Sequence, residues 1–312
     1  MRLVFAGTPA AAVPSLRALV DSPHNVVAVV TRPDAPKGRG RGLSRSDVGV
    51  LADELGLPVL TPPHPRDDDF IAALSELAPD CVPVVAYGAL VPTEVLAIPR
   101  LGWVNLHFSL LPAWRGAAPV QRAIIAGDSL TGATTFVLDQ GMDTGPVLGT
   151  LTEPIGPRDT AGDLLGRLSD AGAELLRATM DGLALAKLTA VAQPADGVSL
   201  APKITVADAH VEWASPAMHI DRLIRGCTPA PGAWSELAGD RLKLGPVRPL
   251  AAPAAADVQL EPGRVRVEKR RVLVGTLTEP VELGDVAAPG RRAMPAPDWA
   301  RGARLTGDEV FV

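Results

Sequence analysis

Through its first 200 or so residues the chain alternates short aliphatic runs with apolar stripes at helical spacing, and that rhythm restricts the fold more than any other feature. Leu3–Ala6 and Val26–Val30 read as strands, and between them Val13, Leu16, Leu19 and Val20 recur on one helical face. The pattern returns at Val48, Leu51, Ala52 and Leu55, and again at Phe70, Ile71, Leu74 and Leu77. Further strands are predicted at Val82–Ala86, Trp103–His107 and Ala133–Leu138, and a long helix from about Ala161 to Lys187. Such alternation places helices on both faces of a mostly parallel sheet, a Rossmann-like α/β layer. After Thr189 the style changes: Pro194, Gly197 and Pro202 mark a linker, and short strands follow at Arg241–Leu244, Gly263–Val267, Val272–Thr276 and Val281–Leu283. The expected organisation is an α/β domain over 1–188, a linker over 189–206, and a smaller OB-like β-barrel over 207–312.

With 312 residues, 47% hydrophobic and 21% charged, the chain can bury a real core and is no fibre, coiled-coil rod or disordered tail. Cys81 and Cys227 lie far apart and form no CxxC pair, so neither a disulfide framework nor a zinc site is predicted. No HxxxH or HExxH spacing occurs, and no metal is expected. Gly7, Pro9 and Pro14 interrupt the N-terminus, which does not read as a signal peptide, and no run of eighteen apolar residues occurs anywhere. A soluble protein of the reducing cytoplasm is expected, with no membrane partner and a monomeric state.

The turn GTPAAAV follows the first strand, where a dinucleotide-binding protein carries its glycine fingerprint, but Gly7 is its one glycine. Its plainer reading is a tight turn with Thr8 capping the helix. More informative is WVNLHFSLLPAWRG, from Trp103 to Gly116. Asn105 and His107 share one side of a strand that should be apolar on both faces, so burying them costs free energy unless they serve a purpose. The second stretch, GATTFVLDQGMDTG from Gly132 to Gly145, runs into a glycine-rich turn that presents Asp143. Alone, Asp143 reads first as a turn aspartate. With Asn105 and His107 it completes a neutral donor, a titratable imidazole and a carboxylate to orient it.

The ordered set NLHFSLLPAWRGAAPVQ and DQGMDTG resembles the folate-dependent formyltransferase family, as do AGTP at positions 6–9, RPDAPKGRGRGL at 32–43, VVAYGALVP at 84–92 and APKIT at 201–205. The resemblance covers nearly the whole chain. It implies that Asn105, His107 and Asp143 are the catalytic trio and that the donor is 10-formyltetrahydrofolate. Ser109, Leu110, Leu111 and Pro112 would then line the folate site, and Tyr87, Gly88, Ala89 and Leu90 would wall the pterin pocket. Departures are Ala10 and Ala11 where relatives often have Asp and Phe, Phe108 where Gly is usual, and Gln140 in place of an apolar residue.

The resemblance further implies an acceptor: the α-amino group of methionine on the initiator tRNA. Net charge is −5, which on its own argues against a nucleic-acid partner, but the distribution is uneven. Arg32–Arg45 holds five basic residues against one acidic, with three glycines and two prolines. A solvated surface loop is the commoner fate of such a run; a phosphate-contacting arm is the alternative, and the resemblance favours it, with Lys37, Arg39 and Arg41 as contacts. Arg241–Arg271 carries eight basic residues and three acidic, so Arg264, Arg266, Lys269, Arg270 and Arg271 are candidate tRNA contacts on the second domain. Rival readings are a formyltransferase acting on a sugar nucleotide or on glycinamide ribonucleotide, an RNA-binding protein with a dead catalytic domain, and a nicotinamide-dependent oxidoreductase. The first lacks need of the basic segments, the second is opposed by the intact trio, and the third by the missing fingerprint.

Overall fold

A computed structural model describes residues 1–37, 42–251 and 258–312. The chain divides into two compact units, one of residues 1–119, 130–154 and 165–201, the other of 120–129, 155–164 and 202–312.

The sheet of the first unit contains seven strands: β1 (Arg2–Gly7), β2 (Asn25–Val30), β5 (Val59–Leu60), β6 (Val82–Val85), β7 (Trp103–His107), β8 (Leu130–Val137) and β9 (Val147–Pro154), in the order β5-β2-β1-β6-β7-β8-β9. A separate antiparallel hairpin, β3 (Ala35–Lys37) with β4 (Gly42–Ser44), leaves the sheet after β2. From β5 to β7 all neighbours are parallel, while β8 and β9 extend the sheet antiparallel. β6 is buried along its whole length and β1 along all but its first residue, as parallel strands covered on both faces must be.

Helices α1 (Val13–Val20), α2 (Asp47–Glu54), α3 (Asp68–Leu77) and the 24-residue α6 (Ala161–Ala184) fall on the predicted helical segments, while the single turn α4 (Thr93–Leu96) and α5 (Pro119–Ala126) lie outside them. Ser46 caps α2 by accepting from the Gly49 amide at 2.9 Å. Thr160 and Asp163 cap α6 reciprocally, each side chain accepting from the other's amide. Thr8, by contrast, caps nothing: its hydroxyl donates to the Tyr87 carbonyl at 2.8 Å, tying the turn after β1 to the chain leaving β6. In the core, Val4, Ala28, Val30, Phe70, Leu74 and Trp103 pack together, and the Trp103 indole donates to the Val95 carbonyl at 3.0 Å.

The second unit adds α7 (Ala217–Gly226), β10 (Ala233–Leu237), β11 (Asp240–Leu244), β12 (Arg248–Pro249), β13 (Val265–Val267), β14 (Val272–Val274), β15 (Val281–Glu282), β16 (Asp285–Ala287), β17 (Met294–Pro295) and α8 (Ala296–Ala303). Its strands form two four-stranded antiparallel sheets, β10-β11-β16-β17 and β12-β15-β14-β13. Trp213 and Trp299 pack near Phe311 in its core. A charge cluster centred on the buried Asp221 and Arg225 and reached by the exposed Arg158 ties its separate segments together. Asp221 accepts from Arg158 at 2.9 Å and from Arg225 at 2.8 Å, and the two guanidinium groups also donate to the carbonyls of Val247 and Asp159.

Both cysteines are free and buried, and burial pushes the Cys81 thiol up to about 12 and the Cys227 thiol up to about 11. No described helix is long and apolar enough to cross a membrane.

Candidate active site

Asn105 and His107 are brought out by β7, whose burial is broken at Asn105 alone. Beyond β7 the chain folds into a turn that is bonded internally: Ser109 donates to the Ala113 carbonyl at 2.6 Å, and the Thr134 hydroxyl of β8 donates to the Ser109 carbonyl at 2.7 Å. The turn contains the cis Leu111–Pro112 bond and holds Trp114 at φ +60°. On the other side, the β8–β9 loop is shaped by Asp139, which accepts from the Gly141 amide and from Thr144. A Cβ on Gly145 would collide with the Val137 carbonyl oxygen, so only glycine lets this loop return so closely on its own strand. Asp143 at its tip has φ +53°.

His107 is 6% exposed and packs its ring edge-on against Phe136. Its Nε2 lies 2.9 Å from the Trp114 carbonyl, which can only accept, so Nε2 carries the proton. That fixes the tautomer: Nδ1 is the ring atom left to face the Asp143 Oδ2, 3.7 Å away. The same Oδ2 accepts from the Gly116 amide at 2.8 Å. Burial holds the His107 pKa below its usual 6.5, with Asp143 and the Trp114 bond opposing that shift without cancelling it. Proximity of Asp143 therefore does not win the charged form for His107, because desolvation is the larger effect.

These groups open on a cavity of about 990 Å³ lined by Tyr87, Gly88, Ala89, Leu90, Asn105, His107, Phe108 and Asp143, with Arg32, His64 and Arg66 on the same wall system. The Tyr87 hydroxyl is buried, and burial raises its pKa while the neighbouring Arg32 guanidinium offsets part of the rise. Among the described residues no group of three or more His, Cys, Asp or Glu side chains is placed to hold a metal.

Comparison with known proteins bears on this arrangement. The family described as Formyl transferase matches residues 1–180, and its C-terminal domain matches residues 203–304. The methionyl-tRNA formyltransferase of Salinispora arenicola (strain CNS-205) is 62% identical over 311 residues, covering 100% of both chains. That of Thermobifida fusca (strain YX) is 61% identical over 311 residues, covering 100% of this chain and 99% of its own. The chain belongs to the methionyl-tRNA formyltransferase family. Among solved structures, HypX from Aquifex aeolicus in complex with tetrahydrofolic acid aligns with a TM-score of 0.68 at 17% identity, over 98% of this chain and 47% of that one. WlaRD, a sugar 3N-formyl transferase, aligns at 0.67 and 15% identity, over 94% and 99%. At these identities the likeness is one of fold.

The family frame makes the placement of each expected residue specific. Asn105, His107, Asp143 and the segment 87–90 meet around one cavity, whereas Ser109, Leu110, Leu111 and Pro112 are not among its lining residues. They build the turn behind it, with Ser109 fully buried. Phe108 and Gln140, two of the departures from the family pattern, do line the cavity. Of the expected tRNA contacts, Arg39 and Arg41 lie outside the described residues, as does the side chain of Lys37. Arg264 is paired with Asp308 at 2.9 Å and Arg271 with Glu268 at 2.7 Å. Arg266 on β13 is half-buried, and Lys269 and Arg270 between β13 and β14 are exposed. Trp114 and Gly116, whose main-chain groups fix His107 and Asp143, were visible in the sequence only as part of a turn.

Proposed function

We propose that the protein transfers the formyl group of 10-formyltetrahydrofolate to the α-amino group of methionine on the initiator tRNA, with Asn105, His107 and Asp143 acting at the reacting atoms. The observation that carries this reading is the His107–Asp143 pair at the wall of a large cavity beside the Asn105 amide. The amine attacks the formyl carbon, and the resulting tetrahedral intermediate bears an oxyanion for which the Asn105 amide is the donor. The attacking nitrogen must lose a proton and N10 of the folate must gain one. With Nε2–H committed to Trp114, the acceptors available are Asp143 Oδ2 and His107 Nδ1. The pair takes the amine proton and returns it to N10, which leaves as tetrahydrofolate while the C–N bond to the amino acid is kept.

Tyr87, Gly88, Ala89 and Leu90, with Phe108, form the apolar wall that suits a pterin. Ser109–Pro112 act behind this wall by holding the turn. The exposed Lys269 and Arg270 and the basic segment 37–41 supply phosphate contacts; Arg264, Arg266 and Arg271 contribute less, being paired or partly buried.

Incubation with 10-formyltetrahydrofolate and methionyl initiator tRNA, followed by deacylation, is expected to yield N-formylmethionine. Formylation of a nucleotide-sugar amine in its place would transfer the assignment to the small-amine branch of the fold. In the same assay Asn105→Ala should lower kcat by about 10²- to 10³-fold, the usual cost of one oxyanion donor; a variant near wild-type rate would remove Asn105 from that role.

A further inference from the structure

The stretch that reads as a linker is bonded to the catalytic loops throughout its first part. Val191 exchanges main-chain hydrogen bonds with Val147 at 2.7 and 2.8 Å. Gln193 comes next, and its amide nitrogen donates to the carbonyls of both Asp143 and Gly145 at 2.8 Å. Its amide oxygen accepts from Arg115 Nε at 3.1 Å and Nη2 at 2.6 Å. Further on, Ser199 Oγ accepts from the Trp114 amide at 2.9 Å, the Ser199 carbonyl accepts from the Arg115 amide at 2.9 Å, and the Ala201 amide donates to the Arg115 carbonyl at 2.7 Å.

Those partners are the residues that orient the reacting pair. Trp114 supplies the carbonyl that fixes the His107 tautomer, and Gly116 supplies the amide that holds Asp143 Oδ2. Asp143 and Trp114 both sit at positive φ, a conformation that costs about 1 kcal/mol or more for a residue with a Cβ and persists only where neighbours enforce it. Gln193 bonds the main chain at the first of these residues and Ser199 at the second. Gln193 also has all four of its hydrogen bonds directed at two loops, so it sets the distance between the loop carrying Asp143 and the loop restraining His107.

We propose that Gln193 is a positioning residue for the formyl transfer: its amide holds the Asp143–Gly145 main chain against Arg115 and so keeps Asp143 Oδ2 within reach of His107 Nδ1. This rests on the reading of Asp143 as a proton acceptor given above. A misplacement of the order of 1 Å in such a pair costs up to about 10²-fold in rate.

The test compares wild type, Gln193→Ala, Gln193→Glu, Asp143→Ala and the Gln193→Ala/Asp143→Ala double variant in steady-state formylation. Gln193→Glu keeps the side-chain length and the Arg115 contact but replaces the doubly donating amide nitrogen with a carboxylate oxygen that can donate to neither carbonyl. Both single Gln193 variants should lose about tenfold or more in kcat, with KM for folate and for tRNA within about twofold. On the Asp143→Ala background the Gln193 change should add less than about twofold, since the group it positions is gone. Wild-type kcat in Gln193→Glu, or a loss that multiplies fully in the double variant, overturns the proposal. If Gln193→Ala does not fold, Gln193→Glu with Gln193→Glu/Asp143→Ala decides by the same criterion. An Asp143→Ala enzyme of near wild-type rate would bring down the underlying reading as well, and is recognisable as that separate failure.

Discussion

Each unit sets an aspartate beside a cation-forming side chain, Asp221 buried and Asp143 partly exposed, and the two arrangements are built in opposite ways. In the second unit Asp221 is gripped at 2.8 and 2.9 Å by two guanidinium groups, each of which also donates to one main-chain carbonyl. Asp143 in the first unit stands 3.7 Å from His107, on a backbone at positive φ, at the edge of a large cavity. One cluster has every partner it needs and ties three stretches of chain together; the other has capacity left over and faces open space. Burial and opposite charge alone do not mark a reacting group. Asp143 differs from Asp221 in being incompletely satisfied and held on main chain at positive φ.

Substitution of the two aspartates should separate the units most strongly. Asp143→Ala is expected to lose at least about 10³-fold in kcat, more than a single oxyanion donor, while its thermal midpoint stays near that of wild type. Loss of fold in place of loss of rate would make Asp143 another structural carboxylate. Asp221→Ala should do the reverse, costing about 3–5 kcal/mol in denaturant unfolding because Arg225 is left buried without its partner. A rate defect in folded Asp221→Ala protein, without that stability loss, would erase the distinction.

Smaller effects sharpen it. Removing an exposed cation, Lys269→Ala or Arg270→Ala, should lower the slope of log tRNA affinity against log salt by roughly one for each phosphate no longer neutralised. Arg264→Ala and Arg271→Ala should move it less, since those charges are already paired; equal effects at all four would show that the pairs open on binding. The smallest shift is in the His107 titration, followed by NMR. Its pKa lies below 6.5, so the neutral form that accepts a proton persists as pH falls to that value, and activity should drop only below it. Asp143→Asn should move the titration further down, because the carboxylate raises it; an upward move would contradict the electrostatic account. The same sign applies to folding: the unfolded chain takes up this proton first, so stability falls with pH below about 6.5.

How much of this the sequence carries depends on whether a residue breaks a local rule. Asn105 and His107 do, as polar groups at the end of a strand that should be apolar, and they are found where expected. Asp143 breaks none, being an aspartate beside glycines, and becomes meaningful only with its partners. Gln193 is invisible because its four hydrogen bonds run to residues about 50 and 78 positions away, within a stretch whose prolines and glycine suggest slack. The Arg271–Glu268 pair is local and readable, but Arg264–Asp308 spans 44 positions, so charge counting overstated the free positive charge. Thr8 misleads in the same way: its hydroxyl prefers a carbonyl 79 residues on to the helix beside it.

The division of the chain also limits how the protein can be taken apart. Segments 120–129 and 155–164 belong to the second unit although they lie within the first 200 residues. Gly162 bonds to Thr228, and Arg158 needs Asp221. A gene cut once at the Pro-rich stretch therefore yields a leading fragment carrying two orphaned pieces of its neighbour. The halves are not interchangeable cassettes: a chimaera joining two relatives at residue 202 separates these segments from their partners unless both travel with the trailing half.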